Sequence, residues 1–406
     1  MKKLFTLLLL VLVAFSMQAQ RYRDKVFTTV TMDSVLYGNA INWDNSAQEL
    51  KMNIFQPAGD TASKRPLLVL AHGGSFINGS RYNEDVAYLC REFAKRGYVC
   101  VSIQYRLGID LAKFFNEGGT QFANAVWRGT LDGRAAVRFL RAHADSLKIS
   151  TEHIYLGGVS AGGVLGLHQA FLDTESEVNA SDPLIDMTAI GGGIEGLSGT
   201  PGQSWRVKGI INLCGGVGNV NWMLNNKDIA IFNVHGTNDQ TVPYKTAYFK
   251  AFGFDVAKLS GGFVIDSMAK TLGMKSYLYT FVNAPHVPFS PGIGTTQSST
   301  AYMDTTEGLL RDFLTEDLGR KVGLPDVLSN ADVRLYPNPA KEQLVVQVDK
   351  GTKTVIELMN LTSQCLQRVV TEKAINRLNT EDLTTGIYIV TISNEYGKAT
   401  RKVLIE

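Results

Sequence analysis

Residues 158–162, with the sequence GVSAG, place a serine between two glycines where an apolar segment gives way to a helical pattern. The segment that ends at Leu156 is typical of a buried strand, and residues 164–172 are typical of a helix. A turn this tight needs nearly bare neighbours, and its strain lifts the hydroxyl of Ser160 above the sheet. The spacing therefore predicts that Ser160 is the nucleophile of an acyl-transfer reaction.

A glycine-rich turn with the sequence HGGS follows the apolar run 66–71, which is typical of a fully buried parallel strand. Glycines just past such a strand leave backbone N–H groups free to bind a ligand. Acyl transfer needs these donors where the carbonyl oxygen of the substrate becomes negative, together with the N–H of the residue after the nucleophile. We therefore predict an oxyanion hole formed by Gly74, Ser75 and Ala161, with Gly73 as the alternative donor on the loop.

Two later strands end in residues suited to the roles of acid and base. Asp239 follows the apolar run 229–234, and His286 follows the run 277–282 in a loop that prolines stiffen. The carboxyl ends of parallel strands lie at one edge of a sheet, where ligands of α/β folds bind. We therefore predict that His286 takes the proton of Ser160 and that Asp239 orients the imidazole.

Other acidic and histidine side chains compete for these roles. His72 and His235 are predicted to brace loops, and Asp132 is predicted to lie in a helix with a structural role. Asp255 and Asp266 stay alternative acids, although neither directly follows a buried strand. The remaining histidines lie in or beside predicted helices: His143, His153 and His168.

These motifs resemble those of the α/β-hydrolases of the carboxylesterase and hormone-sensitive-lipase-like group, over about residues 45–318. The matching pieces are the HGG sequence from His72, the YRL sequence from Tyr105, the helix from Asp132 and residues 158–163. The resemblance implies an α/β-hydrolase fold and a serine esterase. Its chemistry passes through an acyl-serine intermediate and needs no metal or organic cofactor. Ser75 replaces the third glycine of the usual esterase loop, but a backbone N–H remains at that position.

The order of apolar and helical patterns predicts a mostly parallel sheet with helices on both faces. Strands are expected near Leu67, Val99, Ile154, Ile210, Ile229 and Tyr277. Helices are expected near Asp85, Asp132, Val164, Lys245 and Glu307. Residues 26–56 predict an antiparallel edge hairpin. The long insert at 175–205 is interpreted either as a wall or lid over the substrate pocket or as a loose surface excursion.

Residues 1–20 begin with two lysines and a short apolar run, the layout of a secretory signal peptide. The apolar run is shorter than the roughly 20 residues that span a bilayer, so no transmembrane anchor is expected in the mature protein. A retained amino-terminal anchor is the alternative.

The carboxyl-terminal part of the chain changes character after a predicted linker at 319–330. Residues 331–406 hold short β-rich runs separated by turn residues, which predict a small all-β sandwich. The YPNP opening, the GIY strand and the final basic and apolar strand resemble the C-terminal sorting domain of the type IX secretion system. The resemblance implies export through the periplasm and outer membrane, contact with the secretion machinery there, and a secreted or surface-attached protein. An accessory carbohydrate-binding or structural sandwich is the alternative.

The length of 406 residues fits two domains, and we place the catalytic domain at 21–318. A net charge of +2 gives no support for a nucleic-acid partner. Among the four cysteines, Cys90 and Cys100 could pair, whereas Cys214 and Cys365 are expected to be free. The function predicted is hydrolysis of extracellular or polymer-linked carboxylic esters. The alternatives are a serine peptidase on the same fold and a catalytically silent binding protein at the cell surface.

Overall fold

A computed structural model describes residues 21–251, 254–290, 300–319, 333–348, 353–360, 364–394 and 397–406. The chain divides into two compact units, Met1–Gly319 and Arg320–Glu406. The predicted signal peptide at 1–20 and residues 320–330 of the predicted linker lie outside the described residues.

The first unit is built on an eight-stranded sheet and a separate two-stranded hairpin. Its strands are β1 (Val30–Ile41), β2 (Ala47–Pro57), β3 (Arg65–Ala71), β4 (Val99–Ile103), β5 (Ile149–Val159), β6 (Gly209–Leu213), β7 (Ala230–Gly236), β8 (Thr246–Ala251), β9 (Phe254–Ser260) and β10 (Ser276–Phe281). The order in the large sheet is β1-β2-β4-β3-β5-β6-β7-β10. Strands β1 and β2 pair antiparallel at one edge, as predicted for residues 26–56, and β3 to β7 and β10 run parallel.

Helices cover both faces of this sheet. They are α1 (Glu84–Ala94), α2 (Leu111–Ala142, kinked at Glu117), α3 (Ala161–Phe171), α4 (Glu175–Asn179), α5 (Met187–Ile190), α6 (Gly262–Thr271) and α7 (Thr300–Asp317). None of the described helices is long and apolar enough to cross a membrane. Side chains of a strand alternate between faces, so Leu67 and Val69 of β3 join one buried cluster with α2 and α3, whereas Leu68 and Leu70 join another with α1 and α7. The predicted α/β-hydrolase fold, a mostly parallel sheet between two helical layers, is confirmed.

The prediction of a helix near Lys245 is wrong. Residues Thr246–Ala251 and Phe254–Ser260 are instead the antiparallel strands β8 and β9. Both segments contain β-branched or aromatic residues at alternating positions, which favours a pleated surface with one buried face. Phe249 and Leu259 lie on that buried face. The helix expected after this strand begins only at Gly262.

The second unit contains two antiparallel sheets that share one core. Its strands are β11 (Val333–Tyr336), β12 (Gln343–Val348), β13 (Thr354–Met359), β14 (Cys365–Thr371), β15 (Ile375–Asn379), β16 (Gly386–Asn394) and β17 (Gly397–Ile405). The sheet orders are β11-β12-β15 and β14-β13-β16-β17. Leu344 and Val346 of the first sheet and Ile356 and Val390 of the second belong to a single buried cluster. The predicted all-β sandwich is confirmed.

All four cysteines are free thiols, so the pairing considered for Cys90 and Cys100 is absent from the described residues. Cys90, Cys100 and Cys214 are buried, and Cys365 is exposed. Burial raises the pKa of the Cys90 thiol well above its ordinary value, and the same cause raises that of Cys214 to about 12. The three buried thiols are therefore protonated at neutral pH and behave as small apolar side chains.

Candidate active site

Ser160 lies on the turn between β5 and α3, at the centre of the large sheet. Its backbone has φ 53° and ψ −112°, in the left-handed region that costs a non-glycine residue strain. A Cβ atom at Gly158 would lie 1.9 Å from the carbonyl oxygen of Ala71, and one at Gly162 would lie 2.0 Å from the same oxygen. Both flanking positions must therefore be glycine, because β3 passes directly beside the turn.

A chain of hydrogen bonds joins the three side chains predicted to react. The Nε2 atom of His286 lies 2.8 Å from Oγ of Ser160, and its Nδ1 atom lies 2.6 Å from Oδ2 of Asp239. A carboxylate oxygen only accepts, so Nδ1 carries the proton of the neutral ring and donates it to Asp239. Nε2 is then left bare to accept a hydrogen bond from the Ser160 hydroxyl.

Asp239 is buried and fully engaged with hydrogen-bond donors. Its Oδ1 atom accepts the backbone N–H groups of Thr241 and Val242, each at 2.9 Å. Its Oδ2 atom also lies 3.2 Å from Nε2 of His235. Burial alone raises the pKa of Asp239, but the hydrogen bonds and charges of His235 and His286 outweigh it and lower the pKa to about 2. The side chain is therefore a carboxylate at neutral pH.

His235 contacts Asp239 directly, which the sequence did not reveal. Its Nδ1 atom accepts the backbone N–H of Gly262 at 3.2 Å, so Nε2 carries the proton of the neutral ring. Nε2 of His235 lies 3.0 Å from the carbonyl oxygen of Val242 and 3.2 Å from Oδ2 of Asp239, so both oxygens can accept from its N–H. The sequence predicts only a role in supporting the loop for His235. The contact with Asp239 could have been predicted from the position of His235 at the end of a buried strand, four residues before Asp239.

The predicted oxyanion loop lies beside the serine turn. Ser75 and Ala161 line the same cavity as Ser160, whereas Gly74 packs against Asn78 and does not line it. The φ angles of Gly74 and Ser75 are 121° and 55°, which turns this backbone away from ordinary strand geometry. Within the described residues, the backbone N–H groups of Gly74, Ser75 and Ala161 donate no hydrogen bond. Because Ser75 and Ala161 line the cavity, their N–H groups are available to a ligand there, as an oxyanion hole requires.

His72 supports the oxyanion loop through a hydrogen bond and a ring contact. Its ring stacks on Tyr105 with 4.4 Å between centroids, and its Nδ1 atom donates to the carbonyl oxygen of Gly73 at 2.7 Å. Nε2 then accepts from the amide of Gln104 at 3.3 Å. Burial lowers the pKa of His72 to about 4, so the ring is neutral. The side chain occupies the bracing position that the sequence suggested.

The competing acids lie elsewhere in the fold. Asp132 on α2 is fully buried and forms an ion pair with Arg106, whose guanidinium lies 2.8 Å away. This pair fixes the loop that follows β4. Asp255 and Asp266 each pair with a lysine. In the described parts of the chain, no group of three or more His, Cys, Asp or Glu residues has the spacing to hold a metal ion.

A cavity of about 700 Å³, counted with its open mouth, extends from Ser160. Its walls are mainly apolar side chains from α2, α3, the segment 220–225 and the β8–β9 hairpin, including Phe122, Val164, Trp222, Phe249 and Leu259. His286 is not among its lining residues.

The insert at 175–205 also contributes to this cavity, through Pro183 and Ile185. Its later part is tied to α2. Arg134 donates to the carbonyl oxygen of Ile194, and Arg138 donates to that of Ser198 at 2.6 Å. Of the two interpretations of this insert, the geometry matches a wall of the pocket rather than a loose excursion.

Comparison with known proteins gives the same classes for both units. Residues 52–215 match the BD-FAE family, and residues 334–406 match the family described as secretion system C-terminal sorting domain. The first unit is therefore similar to an α/β-hydrolase domain over residues 52–215, and the second unit is similar to a secretion system C-terminal sorting domain over residues 334–406. Both predicted resemblances are confirmed.

Several curated esterases are similar to part of this chain. Gut esterase 1 of Caenorhabditis elegans is 32% identical over 28% of this chain, and pyrethroid hydrolase Ces2a of Mus musculus is 36% identical over 28%. Esterase LipC of Mycobacterium tuberculosis is 29% identical over 37%. The matches span 19% of the length of the first two relatives and 32% of the third. Among solved structures, Thermogutta terrifontis esterase 2 phosphorylated by paraoxon is 22% identical with a TM-score of 0.48, covering 71% of this chain and 95% of that chain.

Proposed function

We propose that this protein is a secreted serine hydrolase of carboxylic esters. The observation that carries the proposal is the hydrogen-bonded chain from Ser160 through His286 to Asp239, with contacts of 2.8 and 2.6 Å. A serine hydroxyl is a weak nucleophile unless a base removes its proton as it attacks. The similarity to BD-FAE and to curated esterases favours an ester over other acyl compounds as the substrate.

In the first step, Oγ of Ser160 attacks the carbonyl carbon of the ester and Nε2 of His286 takes its proton. Asp239 stabilises the resulting imidazolium, because its carboxylate already accepts from Nδ1. The carbonyl oxygen becomes negative and is bound by the backbone N–H groups of Ser75 and Ala161, with Gly74 as a further donor on the loop. Each such donor contributes on the order of 100- to 1,000-fold to the rate.

In the second step, the bond between the carbonyl carbon and the alcohol oxygen breaks, and His286 gives its proton to the leaving alcohol. Water then enters, loses a proton to His286 and attacks the acyl carbon. The bond to Ser160 breaks, the serine regains its proton and the carboxylic acid leaves. The net reaction consumes one ester and one water, and it yields one acid and one alcohol.

The apolar cavity suits the acyl group of the ester. His286 must lie next to the leaving oxygen in order to protonate it, so the alcohol belongs on the His286 side of Ser160. The cavity contacts Ser75, Ser160 and Ala161, whereas His286 does not line it. An apolar acyl group can therefore enter this cavity while its carbonyl oxygen points at the oxyanion loop.

The second unit supports export as the fate of this enzyme. Residues 334–406 match a secretion system C-terminal sorting domain, and such domains direct their cargo to the cell surface or outside. With the signal-peptide pattern at 1–20, this favours passage through the periplasm and outer membrane, with the secretion machinery as partner. The substrate is then an extracellular or polymer-linked ester.

A serine peptidase and a silent binding protein are the competing functions. A peptidase on this fold would use the same three side chains, so the substrate assay must separate the two. A binding protein gains nothing from a strained serine whose hydroxyl faces a bare imidazole nitrogen, and that geometry favours a catalyst.

The direct test is hydrolysis of nitrophenyl esters from acetyl to dodecanoyl by the full chain. We expect turnover of at least one of these esters and a loss on the order of 10⁴ or more in Ser160→Ala. The matched control is Ser267→Ala, an exposed serine on α6, which should leave the rate unchanged. If Ser160→Ala loses less than tenfold, the proposed nucleophile is wrong. If wild type cleaves peptides but no ester, the peptidase replaces the esterase.

A further inference from the structure

A buried histidine, His168, forms part of the wall of the acyl cavity. Ala161, Val164 and His168 on α3 all line the cavity, and their spacing places them on one face of that helix. His168 is 5% exposed and packs edge to face against Trp222, with 5.5 Å between ring centroids. Among the lining residues in the described chain, Ser160, Trp222 and His168 are buried and carry a polar side-chain atom. The other polar lining residues are half-buried (Ser75 and Ser181) or exposed (Asp182 and Lys258).

The protonation state of His168 follows from its neighbours. Its Nδ1 atom lies 2.8 Å from the carbonyl oxygen of Val164, which can only accept, so Nδ1 carries a proton. Burial lowers the pKa of the ring to about 4, so His168 is neutral at working pH and Nε2 carries no proton. In the described residues Nε2 has no hydrogen-bond partner. Gly218 lines the cavity beside His168, and a Cβ atom added at Gly218 would lie 3.4 Å from Nε2 of His168.

We infer that Nε2 of His168 is a specificity-determining acceptor for a hydroxyl carried by the acyl group of the substrate. The inference rests on the proposed function and deepens it. A buried acceptor in an apolar cavity is left unpaired by a plain hydrocarbon chain, whereas a hydroxyl at the right distance satisfies it. The substrate class is therefore an ester of a hydroxylated, otherwise apolar carboxylic acid.

The helix sets the distance between the ester and that hydroxyl. His168 follows Ser160 by eight residues, so the rise of an α-helix places their Cα atoms about 12 Å apart. Helical side chains lean toward the amino terminus, which brings the imidazole back toward the serine and shortens the gap to about 10 Å. The hydroxyl oxygen lies on the serine side of Nε2 at a hydrogen-bond distance of about 3 Å, so it should be about 7 Å from the ester carbonyl.

The test compares methyl esters of ω-hydroxyalkanoic acids with methyl esters of alkanoic acids one carbon longer, in which a methyl group replaces the hydroxyl. Acid release by the full chain gives kcat/KM for each pair from butanoyl to dodecanoyl. One hydrogen bond to a buried acceptor supports a preference of about tenfold for the hydroxylated ester. This preference should peak at the chain length that places the hydroxyl about 7 Å from the carbonyl. A ratio near one at every length overturns the inference.

Two variants separate the acceptor from a structural role. His168→Phe keeps an aromatic ring against Trp222 but removes the acceptor. Gly218→Ala adds a methyl group 3.0 Å from the Trp222 ring and 3.4 Å from Nε2, which blocks the approach of a hydroxyl to the acceptor. Both should reduce the preference to about one. The matched control is His143→Phe, because His143 is exposed, directly follows α2 and bonds through Nδ1 to the carbonyl four residues earlier at 2.8 Å. The control should keep the tenfold ratio, and a His168→Phe variant that keeps it would contradict the inference.

Binding distinguishes this inference from the proposed function. Full-length Ser160→Ala protein is titrated with the same ester pairs by calorimetry, so no turnover is needed. Tighter binding of the hydroxylated ester with no hydrolysis by wild type would remove the proposed function and keep the acceptor. Hydrolysis by wild type with equal binding of both esters would remove the acceptor and keep the proposed function.

Discussion

The variant Asp239→Asn tests the proposed catalytic geometry, because it should move the proton of the neutral His286 ring from Nδ1 to Nε2. Two backbone N–H groups, of Thr241 and Val242, lie 2.9 Å from Oδ1 of Asp239. An asparagine must therefore keep its amide oxygen at that position, because an NH₂ group there would face two donors. The NH₂ group then takes the place of Oδ2, which lies 2.6 Å from Nδ1 of His286.

This forced orientation changes the tautomer of His286. Nδ1 must accept from the new NH₂ group, so the proton of the neutral ring moves to Nε2 and faces the Ser160 hydroxyl. A protonated Nε2 cannot remove the serine proton. The NH₂ group would also face the Nε2–H of His235, because Gly262 donates to Nδ1 and so keeps the proton on Nε2. Two donors would then face each other without an acceptor. We expect a fall in kcat/KM of about 10³- to 10⁴-fold, or about 4 to 5.5 kcal/mol of transition-state stabilisation.

The assay is steady-state hydrolysis of a nitrophenyl ester that wild type accepts, and the rate of Ser160→Ala is taken as the background. Asp255→Asn and Asp266→Asn are matched controls, because both acids are alternatives by sequence and both pair with lysines away from His286. These controls should keep at least half of the wild-type rate. An Asp239→Asn variant with more than a tenth of wild-type activity would refute the reasoning, as would a large loss in either control.

Two further predictions concern stability. Gly162→Ala places a Cβ atom 2.0 Å from the carbonyl oxygen of Ala71, so we expect the free energy of unfolding to fall by about 1–3 kcal/mol or more. Gly308→Ala on α7 meets no atom within 4 Å and should raise it slightly, so equal thermal midpoints for the two variants would contradict this account. The second prediction follows from the pKa of Asp239, which is about 2 in the folded chain against an ordinary 3.8. Because the folded value is the lower one, the stabilisation of about 2 kcal/mol is present above pH 3.8 and lost as the pH falls through 2. Denaturant unfolding of wild type and Asp239→Asn from pH 5 to pH 2 should show their difference shrink by that amount, and a constant difference would rule it out.

Much of the fold could be predicted because its signals are local. Continuous apolar runs such as 66–71 predict strands that are buried on both faces, and these runs are where β3 and its neighbours lie. The glycines at 158 and 162 mark the serine turn because β3 leaves no room for a side chain there. The positions of Asp239 and His286 at one sheet edge follow from parallel pairing, whereas their catalytic roles stay predictions.

Other features depend on contacts between distant segments and carry no local signal. The hairpin of β8 and β9 replaces a predicted helix because Phe249 and Leu259 wall the cavity, and this packing outweighs a pattern that can be interpreted as helical. The tautomer of His235 is set by Gly262, 27 residues away. The acceptor on His168 is recognisable only once the cavity that α3 lines is known.

The central claim is that Ser160 forms a covalent acyl intermediate. The most direct measurement is peptide mass spectrometry of the full chain, quenched in acid during turnover of nitrophenyl butanoate. We predict a mass increase of one butanoyl group on the peptide that contains Ser160, and its absence in Ser160→Ala. A butanoyl group on any other residue, or turnover without an acylated peptide, would contradict the mechanism proposed for this site.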